Sequence, residues 1–291
     1  MSGVQPISFE CEGVTLQGML HAGASSTGVL IVVGGPQYRV GSHRQFVLLS
    51  RALAADGIPV LRFDYRGLGD SVGEATTFES IDPDIRAAVD TFFRLAPHLE
   101  RVVIWGLCDA ASAALFYAPQ DRRVAGLVLL NPWVRSQQTV AQAYLKSYYV
   151  RRVLDPRAWR DLILGGKLVR AIGSFAGLVR QARGAEPSRT DSAGQGASGA
   201  LVERMRRGFA AFEGPVLVIL SGDDITAEEF RTATQSALWR RLLEDRRVRH
   251  CALDAADHTF SSRAWRDQVA SWTSEWLRAE WPGARKAVAS R

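Results

Sequence analysis

Cysteine is scarce in this chain, internal repeats are absent, and no apolar run is long enough to cross a bilayer. Three cysteines in 291 residues build no disulfide framework. The longest apolar runs, 29–33 and 124–130, have the length of buried strands and fall far short of the ~20 residues a membrane helix needs. His21, His98 and His250 are scattered and share no ligand spacing with cysteine, so neither a metal nor a cofactor is expected. The opening residues, MSGVQPISFECEG, have neither the basic start nor the apolar core of a secretory signal, and the cytosol is the expected compartment.

What is present describes a folded protein. The chain is 47% hydrophobic, 23% charged and 9% aromatic, which excludes a mostly disordered, collagenous or coiled-coil chain. Its length suits one large α/β domain carrying an insertion. The net charge of +6 invites a nucleic-acid reading, but its distribution argues otherwise. Residues 133–213 hold 14 Lys and Arg against 6 Asp and Glu, a net of +8, and the remainder is at −2. No aromatic stacking platform or binding motif accompanies that charge, so nucleic acid is not an expected partner.

Short apolar runs alternate with amphipathic stretches, the pattern of a mainly parallel sheet with helices on both faces. Strands are expected as a pair over 7–22 and then at 29–33, 59–63, 102–105, 124–130, 216–220 and 248–253. Helices are expected over 43–56, 81–95, 110–117, 227–241 and 263–280. The alternation stops between 131 and 214. The chain therefore reads as a core of 1–132 and 214–291, with a basic, helical insertion at 133–213 acting as a lid. A Gly/Ser/Ala-rich stretch at 184–200 is expected to be a mobile loop.

The strongest chemical signal is Gly106-x-Cys108-x-Ala110, where an apolar strand runs directly into a helix. A nucleophile on such a turn sits in a strained backbone, and its neighbours two residues away must be small. The helix N-terminus there favours thiolate. Alone, the motif describes a buried structural cysteine better than a nucleophile. Two further loops supply partners in order: Ser221-Gly-Asp223-Asp224 after one strand, and Asp257-His258 before the last helix. Nucleophile, acid and base in that order fit a Cys108, Asp224, His258 triad, in which imidazole takes the thiol proton and a carboxylate fixes its tautomer. Asp223 is the neighbour that caps the next helix under this reading, and Asp257 is badly placed to orient His258. Donors for a developing oxyanion are expected from the backbone of Asp109 and from the Gly34-Gly35-Pro36-Gln37 turn, with Gly35 first and Gln37 in reserve.

These motifs, together with Gly34-Gly-Pro-Gln-Tyr-Arg-Val-Gly-Ser-His-Arg44 and Arg62-Phe-Asp-Tyr-Arg-Gly-Leu-Gly-Asp-Ser71, resemble the α/β-hydrolase superfamily. More closely they resemble the bacterial hydrolases associated with exosortase A, first type, found with exopolysaccharide and protein-sorting systems. The resemblance covers about 14–130 and 214–276. It implies the α/β-hydrolase fold and the place of the triad; cysteine stands where the superfamily usually has serine.

Three functions fit: a cysteine-nucleophile hydrolase of esters or thioesters, an acyltransferase with the same triad, or a non-catalytic binding protein of this fold. The partner of the first two is a small acyl substrate. His43 lies near the oxyanion turn, either contacting substrate or starting a helix. Arg151 and Arg152 represent the basic lid, which meets an anionic group on the substrate, touches anionic headgroups at a membrane surface, or is merely solvated.

Overall fold

The computed structural model describes residues 3–135 and 189–282. Eight strands form one sheet: β1 (Val4–Cys11), β2 (Val14–His21), β3 (Thr27–Val32), β4 (Val60–Asp64), β5 (Arg101–Leu107), β6 (Val124–Leu130), β7 (Val216–Ser221) and β8 (Val248–Leu253). Their order across the sheet is β1-β2-β4-β3-β5-β6-β7-β8. The pairs β1/β2 and β2/β4 are antiparallel, and every pair from β4 to β8 is parallel. The described helices are α1 (Gln45–Ala55), α2 (Asp82–Leu95), α3 (Asp109–Tyr117), α4 (Arg189–Ala211), α5 (Ile225–Ala233), α6 (Ala237–Leu243) and α7 (Arg263–Glu280).

The central strands are continuous apolar runs because both faces are covered. Every residue of β3 and β4 is buried. Small side chains let α3 lie close beneath the sheet, with Ala110 to Tyr117 all buried. On the other face α1 and α7 close a core that holds Phe46, Trp105, Phe260 and Trp276. Phe46 meets Trp105 edge-on, with centroids 5.7 Å apart. This is the fold expected from the resemblance.

Two expectations need correction. The helix expected over 227–241 is two helices, because Ser236 takes extended backbone and caps α6 through the Trp239 amide. The loop expected over 184–200 is helical from Arg189 onward, within α4; its glycines carry less weight than the helix formers that follow them. The chain divides into two compact units, Met1–Val134 with Arg204–Arg291, and Arg135–Glu203. Arg151, Arg152 and the helical stretches expected in the insertion lie outside the described residues.

The parallel strands all point the same way, so their C-terminal ends bring six loops to one edge of the sheet. Gly34 follows β3, Tyr65 follows β4, Cys108 follows β5, Asn131 follows β6, Asp224 follows β7 and His258 follows β8. Among the described residues no helix is long and apolar enough to cross a membrane.

Candidate active site

The nucleophile turn is built as its residue types require. Cys108 has φ 64° and ψ −126° between β5 and α3, a region costly for a residue with a Cβ. A Cβ on Gly106 would come within 2.7 Å of the Ala110 and Ala111 backbone, which explains the glycine two residues before the cysteine. Hydrogen bonds hold the strained turn. The Cys108 amide donates to the Leu130 carbonyl at 2.9 Å, and the Cys108 carbonyl accepts from the Ala111 and Trp133 amides at 3.1 and 3.2 Å.

On the opposite side, His258 Nδ1 lies 2.9 Å from Asp224 Oδ2. An ionised carboxylate only accepts, so Nδ1 carries the proton and Nε2 is free to act as a base. The Asp224 side chain is 6% exposed and that of His258 32%, so the acid is the more deeply buried of the two. Burial pushes Asp224 up, but the hydrogen bond and charge of His258 and the Thr226 and Ala227 amides outweigh it, leaving Asp224 below the usual carboxylate range. Asp224 is also the N-cap of α5, accepting from Thr226 and Ala227 at 3.1 Å each. One residue therefore does both jobs that the sequence divided between neighbours. Asp223 does not cap the helix; it is exposed, and its amide donates to the Ala256 carbonyl at 3.0 Å. Asp257 accepts from the Thr259 and Ser261 amides at 3.1 and 3.0 Å, shaping the loop and leaving the imidazole to Asp224.

Asn131 is a positioning residue that the sequence did not single out. It is fully buried with φ 42°. Its Nδ2 donates to Ser221 Oγ at 2.8 Å and to the His258 carbonyl at 3.0 Å, while its Oδ1 accepts from the Ser221 amide at 2.9 Å. It thus joins the end of β6 to the acid strand and the base loop. An asparagine directly after an apolar strand and before Pro132 was the only available signal.

The oxyanion turn is positioned, but its donors are not free. Gly35 has φ 63° and open space beside its Cα. Its amide donates to Asp109 Oδ1 at 2.7 Å. The Gln37 side chain accepts from the Ser42 amide at 2.9 Å and from Gln45 Nε2 at 3.4 Å, bracing the turn. The far end is fixed by Arg39, whose amide donates to the buried Asp64 carboxylate at 2.5 Å and whose guanidinium pairs with Asp64 and Asp70. Arg62 adds a bond to the Arg39 carbonyl at 2.7 Å. His43 lies in a short 3₁₀ turn before α1, solvent-exposed, with its carbonyl accepting from Arg266 at 3.1 Å.

The Cys108 side chain is pushed toward its thiol form, against the expectation of thiolate at a helix start. Burial pushes the Cys108 thiol up, the Asp109 carboxylate pushes it further, the Asp109 amide opposes this, and Asp224 adds to the rise. Desolvation and like charge both disfavour the thiolate. Among the described residues no cluster of three His, Cys, Asp or Glu side chains could hold a metal.

Comparison with known proteins gives the following. A family model described as serine aminopeptidase, S33, matches residues 27–242. A polyketide transferase, grgF, of a Penicillium species is 28% identical over 133 residues, and the match spans 43% of this chain and 43% of that protein. The structure superposes on esterase Pf2001 of Pyrococcus furiosus with TM-score 0.66 at 18% identity, over 96% of this chain and 93% of that one. Est1E from Butyrivibrio proteoclasticus, solved with ferulic acid, gives TM-score 0.62 at 15% identity, over 94% and 98%.

Proposed function

The chain belongs to the serine aminopeptidase S33 family of α/β-hydrolases, and from that premise we propose that it is a hydrolase of carboxylic esters or thioesters with Cys108 as its nucleophile, His258 as base and Asp224 as the orienting acid. The observation that carries this reading is the 2.9 Å contact of His258 Nδ1 with the buried Asp224, on the same sheet edge as the strained Cys108 turn. The cycle conserves its protons. His258 Nε2 accepts the thiol proton as Sγ attacks the substrate carbonyl, and Asp224 stabilises the imidazolium without itself taking a proton. Collapse of the tetrahedral intermediate breaks the bond to the leaving group, which leaves with that proton and an acyl-Cys108 behind it. Water then attacks the acyl carbon, passing a proton through His258, and restores the thiol. A thioester suits this nucleophile because exchange of one thioester for another is nearly energy-neutral.

A second reading is acyl transfer, in which an acceptor other than water takes the acyl group. The relationship to a polyketide transferase favours it, and the same Cys108, His258 and Asp224 serve. Within the superfamily the motifs around Gly34, Arg62 and Cys108 favour the branch associated with exosortase A.

The test is a panel of acyl esters and acyl thioesters with wild type and Cys108→Ala, read by product release and by intact-protein mass. A covalent acyl adduct that disappears in Cys108→Ala supports the reading; turnover retained in that variant sinks it. Adding alcohol, amine or thiol acceptors then separates hydrolysis from transfer by product identity.

A further inference from the structure

Asp109 does something in this site that the cycle above does not use. Its carboxylate lies where an oxyanion is expected, facing the amides of Gly35, Ala110 and Asp109 itself. The Gly35 contact is 2.7 Å, the length of a charge-assisted bond. Room has been left for it. A Cβ on Gly34 would come 2.5 Å from Asp109 Oδ1 and 2.2 Å from the Leu107 carbonyl, so only glycine permits this packing. The charged and titratable groups around the carboxylate come from three directions: Cys108 on the same turn, Tyr65 after β4, and His258 after β8. Asp224 reaches Cys108 from beyond His258. A carboxylate here is an internal stand-in for the oxyanion: negative oxygen on the donors that acyl transfer requires.

We propose that Asp109 governs the oxyanion site through its protonation: as a carboxylate it fills the site and keeps Cys108 a thiol, and as a neutral acid it yields the donors to a substrate carbonyl. The neutral acid is a weaker acceptor than a carboxylate and carries an O–H that donates to the developing negative oxygen. Burial pushes Asp109 up to about 6, although the Gly35, Ala110 and Asp109 amides and the His258 charge pull downward. The acid form is the competent one, so the oxyanion site is fully available below that value and closes as pH rises through it. The proton comes from solvent and stays on Asp109 throughout the cycle; the thiol proton travels separately through His258.

This inference rests on Cys108 being the nucleophile, and one experiment separates the two claims. Acylation of Cys108 by an activated ester and its alkylation by iodoacetamide are followed by mass spectrometry at several pH values. Both reactions share the thiol and its base, but only acylation needs an oxyanion site. In wild type the ratio of acylation to alkylation should fall about tenfold per pH unit above the Asp109 range. In Asp109→Asn, which cannot ionise and keeps both an acceptor and a donor, the ratio should stay flat, and alkylation at fixed pH should be faster. A ratio independent of pH in wild type overturns the proposal without need of the variant, so misfolding of Asp109→Asn cannot shelter it. Absence of any acyl adduct at Cys108 at every pH, with alkylation still proceeding, removes the nucleophile reading and this inference with it.

Discussion

The two halves of the site are in different states of readiness. In the base half, each polar group is already in its working arrangement: Asp224 sits below the usual carboxylate range, His258 is oriented by it, and Asn131 ties both loops to β6. In the nucleophile half, the thiol is pushed up by burial and the Gly35 amide is engaged by Asp109. The contrast has a physical source. A carboxylate beside an imidazole gains from the partner's charge, whereas a carboxylate beside a thiol opposes ionisation. On the proposed cycle, control of turnover would reside in the nucleophile half, with the base half a fixed support.

The sharpest way to break this contrast is to delete its chemistry. Cys108→Ala should reduce turnover by on the order of 10⁶-fold, to background, with circular dichroism and melting unchanged. In the base half, Asp224→Asn should lower kcat by about 10⁴-fold by admitting the wrong imidazole tautomer, and its amide oxygen still caps α5. Asp224→Ala should lose the rate and also about 1 kcal/mol of stability with the cap, measurable by urea unfolding. Asp223→Asn should do neither; if it is the damaging change, the acid has been misassigned.

Smaller effects sharpen the comparison. Asn131→Ala should cost about 1–3 kcal/mol of stability, because the Ser221 amide loses its buried acceptor and the His258 carbonyl its donor. Its effect should fall on kcat and, because both reactions share His258 as base, on Cys108 alkylation as well. Weakest of all is the effect expected from the basic insertion. Reversing Arg151 and Arg152 to Glu should raise KM for an anionic acyl substrate a few-fold at low ionic strength, with the difference shrinking as salt screens exposed charge over about 8 Å at physiological strength. A KM indifferent to both salt and reversal assigns that charge to solvation.

The legible parts of this molecule are those decided by local pattern. The buried strand Val124–Leu130, the edge strand Val248–Leu253 and the helix Arg263–Glu280 occupy the residues that periodicity marks. The order of Cys108, Asp224 and His258 along the chain was legible because strand ends in a parallel sheet converge on one edge. What escaped was non-local. Gly35 and Asp109 are 74 residues apart, and nothing in either neighbourhood marks a bond between them. Asp109 was legible as a backbone donor; the direction of its side chain depends on the Gly34 turn against which it packs. Asn131 acts across 90 residues on Ser221, again beyond any spacing rule. The double duty of Asp224 was hidden because adjacent aspartates look alike until backbone dihedrals assign one of them to the cap.

The burial that pushes Cys108 toward its thiol form also shields its sulfur. Peroxide oxidises the thiolate to sulfenic acid and on to irreversible sulfinic and sulfonic acids, and disulfide reagents cap it as a mixed disulfide. Cys108, buried and pushed toward its protonated form by desolvation and by the charge of Asp109, presents little thiolate to them. A cysteine held this way is less open to oxidation than a freely ionised one.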